Sequence, residues 1–172
     1  MAQSVNLSTP VQQAPSTPLL VEQLAAALQQ RKWLLATAES CTGGLIAGAC
    51  TELSGSSNWF ERGFVTYSND AKTELLGVDA ALITRRGAVS EQVAQAMAQG
   101  ALAHSPAQVA VAVTGVAGPT GGSRAKPVGT VWFGFAVPGQ LLTEKMHFIG
   151  DRAAVRAATV HHALKRLVEL LA

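Results

Sequence analysis

The sequence predicts a single-domain α/β fold: a layered mixed β-sheet flanked by helices. Three observations carry that expectation. Segments with apolar residues at helical spacing alternate along the chain with short apolar runs of strand length, the pattern of a sheet covered by helices. The run QVAVAVT at 108–114 reads as a buried strand. Two further strand-like segments are joined by Pro138-Gly139, a hairpin signal, so the sheet is expected to be mixed and not purely parallel. A length of 172 residues suits one domain, and a composition rich in Ala, Gly and Val with few aromatics suits helices packed closely on a sheet.

The elements follow in order. Residues 1–16 are rich in Gln, Ser, Thr and Pro and lack periodicity, which predicts a disordered leader before a domain over 17–172. Leu19, Leu20, Leu24, Ala27 and Leu28 fall at helical spacing and predict a helix over 18–31. The apolar run 33–38 predicts a buried strand. Glu39-Ser40-Cys41-Thr42-Gly43-Gly44 then leads into a small-residue helix over 45–53 that stops at Ser54-Gly55. A second strand is expected over 60–67. Ser68-Asn69-Asp70 is a helix-cap cluster opening a short helix over 71–76, ended by Gly77. Ser90-Glu91 opens a longer helix through Ala103. Strand 108–114, a Gly/Pro-rich loop over 115–127, strands 129–137 and 141–149, and a final helix capped by Asp151 complete the series.

Composition excludes several function classes. A formal net charge of +2 without any basic block gives no nucleic-acid footprint. No apolar run reaches membrane-span length, and no signal peptide opens the chain. The two cysteines, Cys41 and Cys50, have neither CxxC nor metal-ligand spacing, so neither disulfide framework nor required metal is expected. The cytoplasm is the expected compartment.

Ser40 stands at a strand-to-helix switch. The amides of Cys41, Thr42 and Gly43 are expected to point outward at a helix N-terminus, where such groups hold an oxyanion or a phosphate. The plainer reading of a lone serine there is a helix cap. A serine nucleophile needs a base. None of His104, His147, His161 and His162 sits in an HxxxH or Asp-His pattern, and no GxSxG surrounds Ser40, so a Ser-His-Asp hydrolase is disfavoured. Lys72 follows the polar run Thr66-Tyr67-Ser68-Asn69-Asp70 at another strand-to-helix switch. As a base it would need its pKa lowered toward about 7–8 by burial or nearby cations; an ordinary exposed lysine is the commoner alternative. Ser123 to Lys126 spells SxxK, but Gly121-Gly122 and Pro127 place it in a loop. Gly115 to Ser123 offers loop amides to an anion without being a P-loop. Cys41 is a rival nucleophile, with a small buried spacer the preferred reading.

TAESCTGG at 37–44, GSSNWFERGFVTYSNDAK at 55–72, GAVS at 87–90, VTGVAGPTGGS at 113–123, KPVGTVWFGF at 126–135 and GDR at 150–152 together resemble the CinA C-terminal domain family from about Pro18 to the C-terminus. Its stand-alone members are nicotinamide-nucleotide amidohydrolases. The resemblance implies hydrolysis of nicotinamide mononucleotide (NMN) to nicotinic acid mononucleotide and ammonia, in pyridine-nucleotide recycling and without a cofactor. It implies Ser40 as nucleophile, Lys72 as general base, and Tyr67 and Thr114 as site residues that relay a proton or orient Lys72. It also implies Arg152 of GDR as the site arginine, with Arg156 close enough to compete for that role. Arg152 is expected to bind phosphate and to depress the Lys72 pKa. Cys41, Thr42, Gly43, Gly44, Gly115 and Gly118 are the expected backbone contacts to substrate. Longer CinA proteins carry an extra N-terminal domain for which this chain is too short, so that domain's pyrophosphatase activity is expected to be absent. A homo-oligomer is expected. Two alternatives remain: a serine-lysine amidase for another small amide, and a non-catalytic nucleotide- or partner-binding module linked to competence.

Overall fold

The computed structural model describes residues 14–172. Its elements are α1 (Thr17–Arg31), β1 (Leu35–Glu39), α2 (Leu45–Thr51), β2 (Phe60–Val65), α3 (Asn69–Leu76), α4 (Ala80–Arg86), α5 (Glu91–Ala103), β3 (Val109–Gly115), β4 (Thr130–Val137), β5 (Gln140–His147) and α6 (Arg152–Leu170). The expected leader lies outside the described residues up to residue 13. Its last residues belong to the fold: the Ser16 side chain caps α1, and His161 on α6 meets the Pro15 carbonyl at 2.8 Å.

The five strands form one mixed sheet in the order β2-β1-β3-β4-β5. β1 runs parallel to β2 and β3, while β3-β4 and β4-β5 are antiparallel. The β4-β5 turn falls at Pro138-Gly139, as the hairpin signal predicted. One helix was not foreseen. α4 has a single buried apolar residue, Ile83, so its seven residues carry too little periodicity to announce a helix. Its evident mark is Asp79, which caps it by accepting the Ala81 amide.

Alternation along the strands sorts the core into two clusters. Leu35, Val109, Val111, Val113, Val131, Phe133 and Phe135 pack with α1, α2 and α6. Ala36, Ala38, Ala110, Ala112 and Ala136 pack with α3, α4 and α5. Period-two alternation in VAVAV therefore makes one face bulky and the other nearly flat. The flat face lets α5 approach closely. A Cβ at Gly134 on β4 would collide with the Ala94 carbonyl on α5. Gly134→Ala is expected to destabilise the protein by about 2–3 kcal/mol through overpacking. A lowered urea midpoint with an unchanged slope would show it; an unchanged midpoint would refute the close-packing account.

The site follows from topology. β1, β2 and β3 all end at the same edge of the sheet. α2, after β1, lies on one face, and α3 to α5, after β2, lie on the other. The carboxyl ends of β1 and β3 thus flank the point where the connections change sides, the usual position of a ligand crevice in such sheets.

Candidate active site

A cavity of about 200 Å³ opens at that switch point. Ser40 enters from the end of β1, Tyr67 and Lys72 from the segment after β2, Thr114 and Gly115 from the end of β3, and Arg152 from the start of α6. Cys41 also lines it. Thr42, Gly43, Gly44 and Gly118, expected as substrate contacts, do not.

Lys72 is the most unusual residue here. Its side chain is 1% exposed, on the first turn of a helix capped by Ser68. Nζ lies 3.0 Å from Ser40 Oγ and 2.8 Å from the Thr66 carbonyl, with the Tyr67 and Ser68 carbonyls each at 3.4 Å. Burial pushes its pKa down from 10.5 to about 8. Arg152 does not supply that shift, contrary to expectation; desolvation does. No carboxylate is within ion-pair distance of Nζ among the described residues. A neutral amine in this cage donates two N–H bonds to carbonyls and turns its lone pair toward the Ser40 hydroxyl.

Of the three amides expected to point outward, only that of Gly43 is committed to the turn, and the helix amides beyond them are taken by a carboxylate. α2 begins at Leu45, as expected, and Glu39 closes its N-terminus. The Glu39 carboxylate accepts the amides of Gly44 (3.0 Å), Ile46 (3.0 Å) and Ala47 (2.8 Å), and the Thr42 hydroxyl at 2.6 Å. No sequence motif assigns Glu39 this task. Its only signal was a charged residue at the end of an otherwise apolar strand. Thr42, Gly43 and Gly44 therefore build the turn around Ser40 and do not face the cavity. Gly43 and Gly44 adopt φ of 60° and 102°, which side chains disfavour. The Gly43 amide donates to the Ser40 carbonyl at 3.1 Å. Neither the Cys41 nor the Thr42 amide has a carbonyl or carboxylate acceptor among the described residues; of the two residues, Cys41 lines the cavity. Burial pushes the Cys41 thiol up to about 11, so it is a spacer and not a rival nucleophile.

The remaining candidates separate by their contacts. The Thr114 hydroxyl donates to the Ala88 carbonyl at 2.9 Å, tying the end of β3 to the GAVS loop. Tyr67 is 62% exposed, and its ring hydroxyl accepts from Arg152 at 3.1 Å; it meets Lys72 through its backbone carbonyl alone. Gly115 presses against β4, where a Cβ would lie 2.8 Å from the Thr130 carbonyl. Gly118 offers its carbonyl to Arg152 at 2.8 Å. Arg152 and Arg156, left open by the sequence, differ in their contacts: Arg152 lines the cavity, whereas Arg156 binds the Cys41 and Thr42 carbonyls at 3.2 and 2.9 Å and lines only the larger hollow next to it. Ser123 to Lys126 lies in a loop, as expected. Three of the histidines are engaged elsewhere: His104 with the Gly100 carbonyl, His161 with the Pro15 carbonyl and His162 with Glu144. Among the described residues no group of three or more His, Cys, Asp and Glu gathers to hold a metal, and no helix is long and apolar enough to cross a membrane.

A second hollow, about 650 Å³, adjoins the first and shares Ala117 and Arg152 with it. The pair gives a small polar chamber beside Ser40 and Lys72 and a larger chamber beyond Arg152.

The chain is similar to known proteins in sequence and in fold. The chain is 60% identical over 135 residues to a nicotinamide-nucleotide amidohydrolase PncC of Enterobacter agglomerans, covering 78% of this chain and 82% of that one. It is 52% identical over 149 residues to the protein of that name from Escherichia coli K12, covering 86% and 90%. Among solved structures, a CinA superfamily protein of Escherichia coli superposes with a TM-score of 0.89 at 39% identity, covering 98% of this chain and 99% of that one. The competence/damage inducible protein CihA of Agrobacterium tumefaciens does so with 0.88 at 47% identity, covering 93% and 99%. The CinA C-terminal domain family itself matches residues 18–171, nearly all of the described fold, and the chain belongs to that family.

Proposed function

We propose that this protein is a nicotinamide-nucleotide amidohydrolase that cleaves NMN through a Ser40–Lys72 acyl-enzyme and serves pyridine-nucleotide recycling. The observation that carries the mechanism is a buried lysine amine 3.0 Å from a serine hydroxyl, with no carboxylate to hold it charged. The names of its relatives supply the substrate.

Neutral Lys72 takes the Ser40 proton as Oγ bonds to the carboxamide carbon. The Cys41 amide stabilises the resulting oxyanion. The carbon–nitrogen bond then breaks, and ammonia leaves with the proton that Lys72 returns. Water next attacks the acyl group, again losing its proton to Lys72; the bond to Ser40 Oγ breaks, Lys72 returns the proton to Oγ, and nicotinic acid mononucleotide departs. The Thr66, Tyr67 and Ser68 carbonyls steady the ammonium each time it forms. The small chamber suits a pyridine carboxamide and the larger one the ribose and phosphate. Arg152, between them and braced by Tyr67 and Gly118, binds the phosphate.

Ammonia release from NMN, without added metal, tests this in wild type, Ser40→Ala and Lys72→Ala. Turnover by wild type and its loss in both variants is the expected result. Binding of NMN without turnover by wild type would instead indicate a non-catalytic module. The pH profile is a second test. Lys72 acts as a base only when neutral, so kcat/KM is expected to rise with pH and level off above about 8. A plateau extending down to pH 6 would remove Lys72 from the role of base.

A further inference from the structure

We infer that Arg156 is a positioning residue that sets the peptide planes of the Ser40 turn and so aims the Cys41 amide at the reacting carbonyl. The inference rests on Ser40 being the nucleophile.

Arg156 reaches back more than a hundred residues from α6 to grip two successive carbonyls, Nε to Cys41 at 3.2 Å and Nη2 to Thr42 at 2.9 Å. A peptide unit is flat and trans, so fixing its carbonyl fixes the N–H on its opposite edge. Holding the Thr42 carbonyl orients the Gly43 N–H, which donates to the Ser40 carbonyl at 3.1 Å. Holding the Ser40 carbonyl in turn sends the Cys41 N–H away from the turn. The Cys41 and Thr42 amides both lack a carbonyl or carboxylate acceptor among the described residues, and of these two residues it is Cys41 that lines the cavity. The grip of Arg156 thus reaches the nucleophile's own peptide in two steps.

No other group does this job. Glu39 holds the turn from the inside, but through the Thr42 hydroxyl and the amides of Gly44, Ile46 and Ala47. The Leu45 amide shares the Thr42 carbonyl at 3.3 Å. The Cys41 carbonyl has Arg156 alone among the described residues. Arg156 is half-buried and forms no ion pair among those residues, so its charge strengthens these two bonds instead of neutralising an acid. A planar fork matches two neighbouring carbonyls, and a lysine does not. Gly43 gives the turn its left-handed bend, and Arg156 removes the freedom that comes with a glycine there. Arg152, one helical turn earlier, faces the cavity and has no part in this.

The test is the rate at which a fluorophosphonate labels Ser40, followed by intact mass. Ser40 Oγ bonds to phosphorus, fluoride leaves, the proton passes to Lys72, and the phosphoryl oxygen takes the seat of the oxyanion. Labelling of wild type and none in Ser40→Ala is expected. Arg156→Ala is expected to label about 100-fold more slowly, the scale of losing one oxyanion donor, with Arg156→Lys in between. Millimolar ethylguanidinium, but not sodium chloride, is expected to restore much of the Arg156→Ala rate. Labelling of Arg156→Ala at the wild-type rate would overturn the assignment alone. A slow rate that ethylguanidinium does not restore, together with a lowered melting temperature, would reduce Arg156 to a structural prop and also overturn it. Wild type that is not labelled at Ser40 would overturn the nucleophile and this assignment with it.

Discussion

Replacing Lys72 with methionine is expected to abolish turnover and, at pH 7, to make the protein harder to unfold. The catalytic loss should reach about 10⁴-fold or more, because a serine without its base keeps only binding and oxyanion stabilisation. The stability gain follows from linkage. The amine has its ordinary value of 10.5 in the unfolded chain and about 8 in the folded one. Between those values the unfolded state holds a proton that the folded state lacks, so stability rises with pH across that window. Below about pH 8 the folded protein carries the full penalty, on the order of 3 kcal/mol. Methionine fills similar space without a charge. It leaves the Thr66 carbonyl without its donor, which offsets part of the gain, so a net of about 1–2 kcal/mol is expected at pH 7. Urea titrations at pH 7 and pH 10.5 check this: the advantage of Lys72→Met should be present at the first and gone or reversed at the second. A variant less stable than wild type at both would mean that the buried amine carries no such penalty. Stability given up for a reactive group is a common trade in enzymes.

Glu39→Ala carries the second large effect. The carboxylate is 1% exposed and accepts three amides and the Thr42 hydroxyl, with the Thr37 hydroxyl at 3.3 Å. Removing it leaves up to five donors unsatisfied in the interior and the positive end of α2 without its anion. A loss of more than ~4 kcal/mol is expected, among the largest single-residue effects. Glu39→Gln keeps the shape but turns an NH2 group toward amides that need an acceptor, so it should fold and still lose about 2–3 kcal/mol. Hydrogen exchange should locate the damage at the amides of 44–47. Protection there equal to wild type in Glu39→Gln would show that the carboxylate does not hold the helix start.

The elements legible in the sequence were those with enough residues to show a period or a strong stop. QVAVAVT, the Pro138-Gly139 hairpin and the helix capped by Asp151 all appear where their signals placed them. α4 did not announce itself, because a single buried side chain in seven residues sets no spacing to recognise. Ser40 and Lys72 were visible as residues, but nothing local pairs them. They are 32 positions apart and meet only because β1 and β2 are parallel neighbours ending side by side. The family motifs supplied that pairing. Glu39 escaped because its partners lie five, seven and eight residues ahead, a spacing that belongs to no repeating element. Arg156 had a faint signal: it stands one helical turn after Arg152, which puts both on the same side of α6.

The two unequal faces of the sheet bear on how this chain can drift through generations. Beneath α1 and α6, large side chains share a common volume, so a loss at Val111 can be answered by a gain at Phe135 or Leu164. Beneath α5 the strands hold no such reserve, since their alanines and Gly134 have nothing to surrender and, at Gly134, no room to grow. Inherited change should therefore accumulate on one side of the sheet and stall on the other. The helix that stalls is α5, whose first loop carries the Ala88 carbonyl that anchors Thr114. The slow-changing half of the core is thus the half that keeps the end of β3 in place beside Ser40.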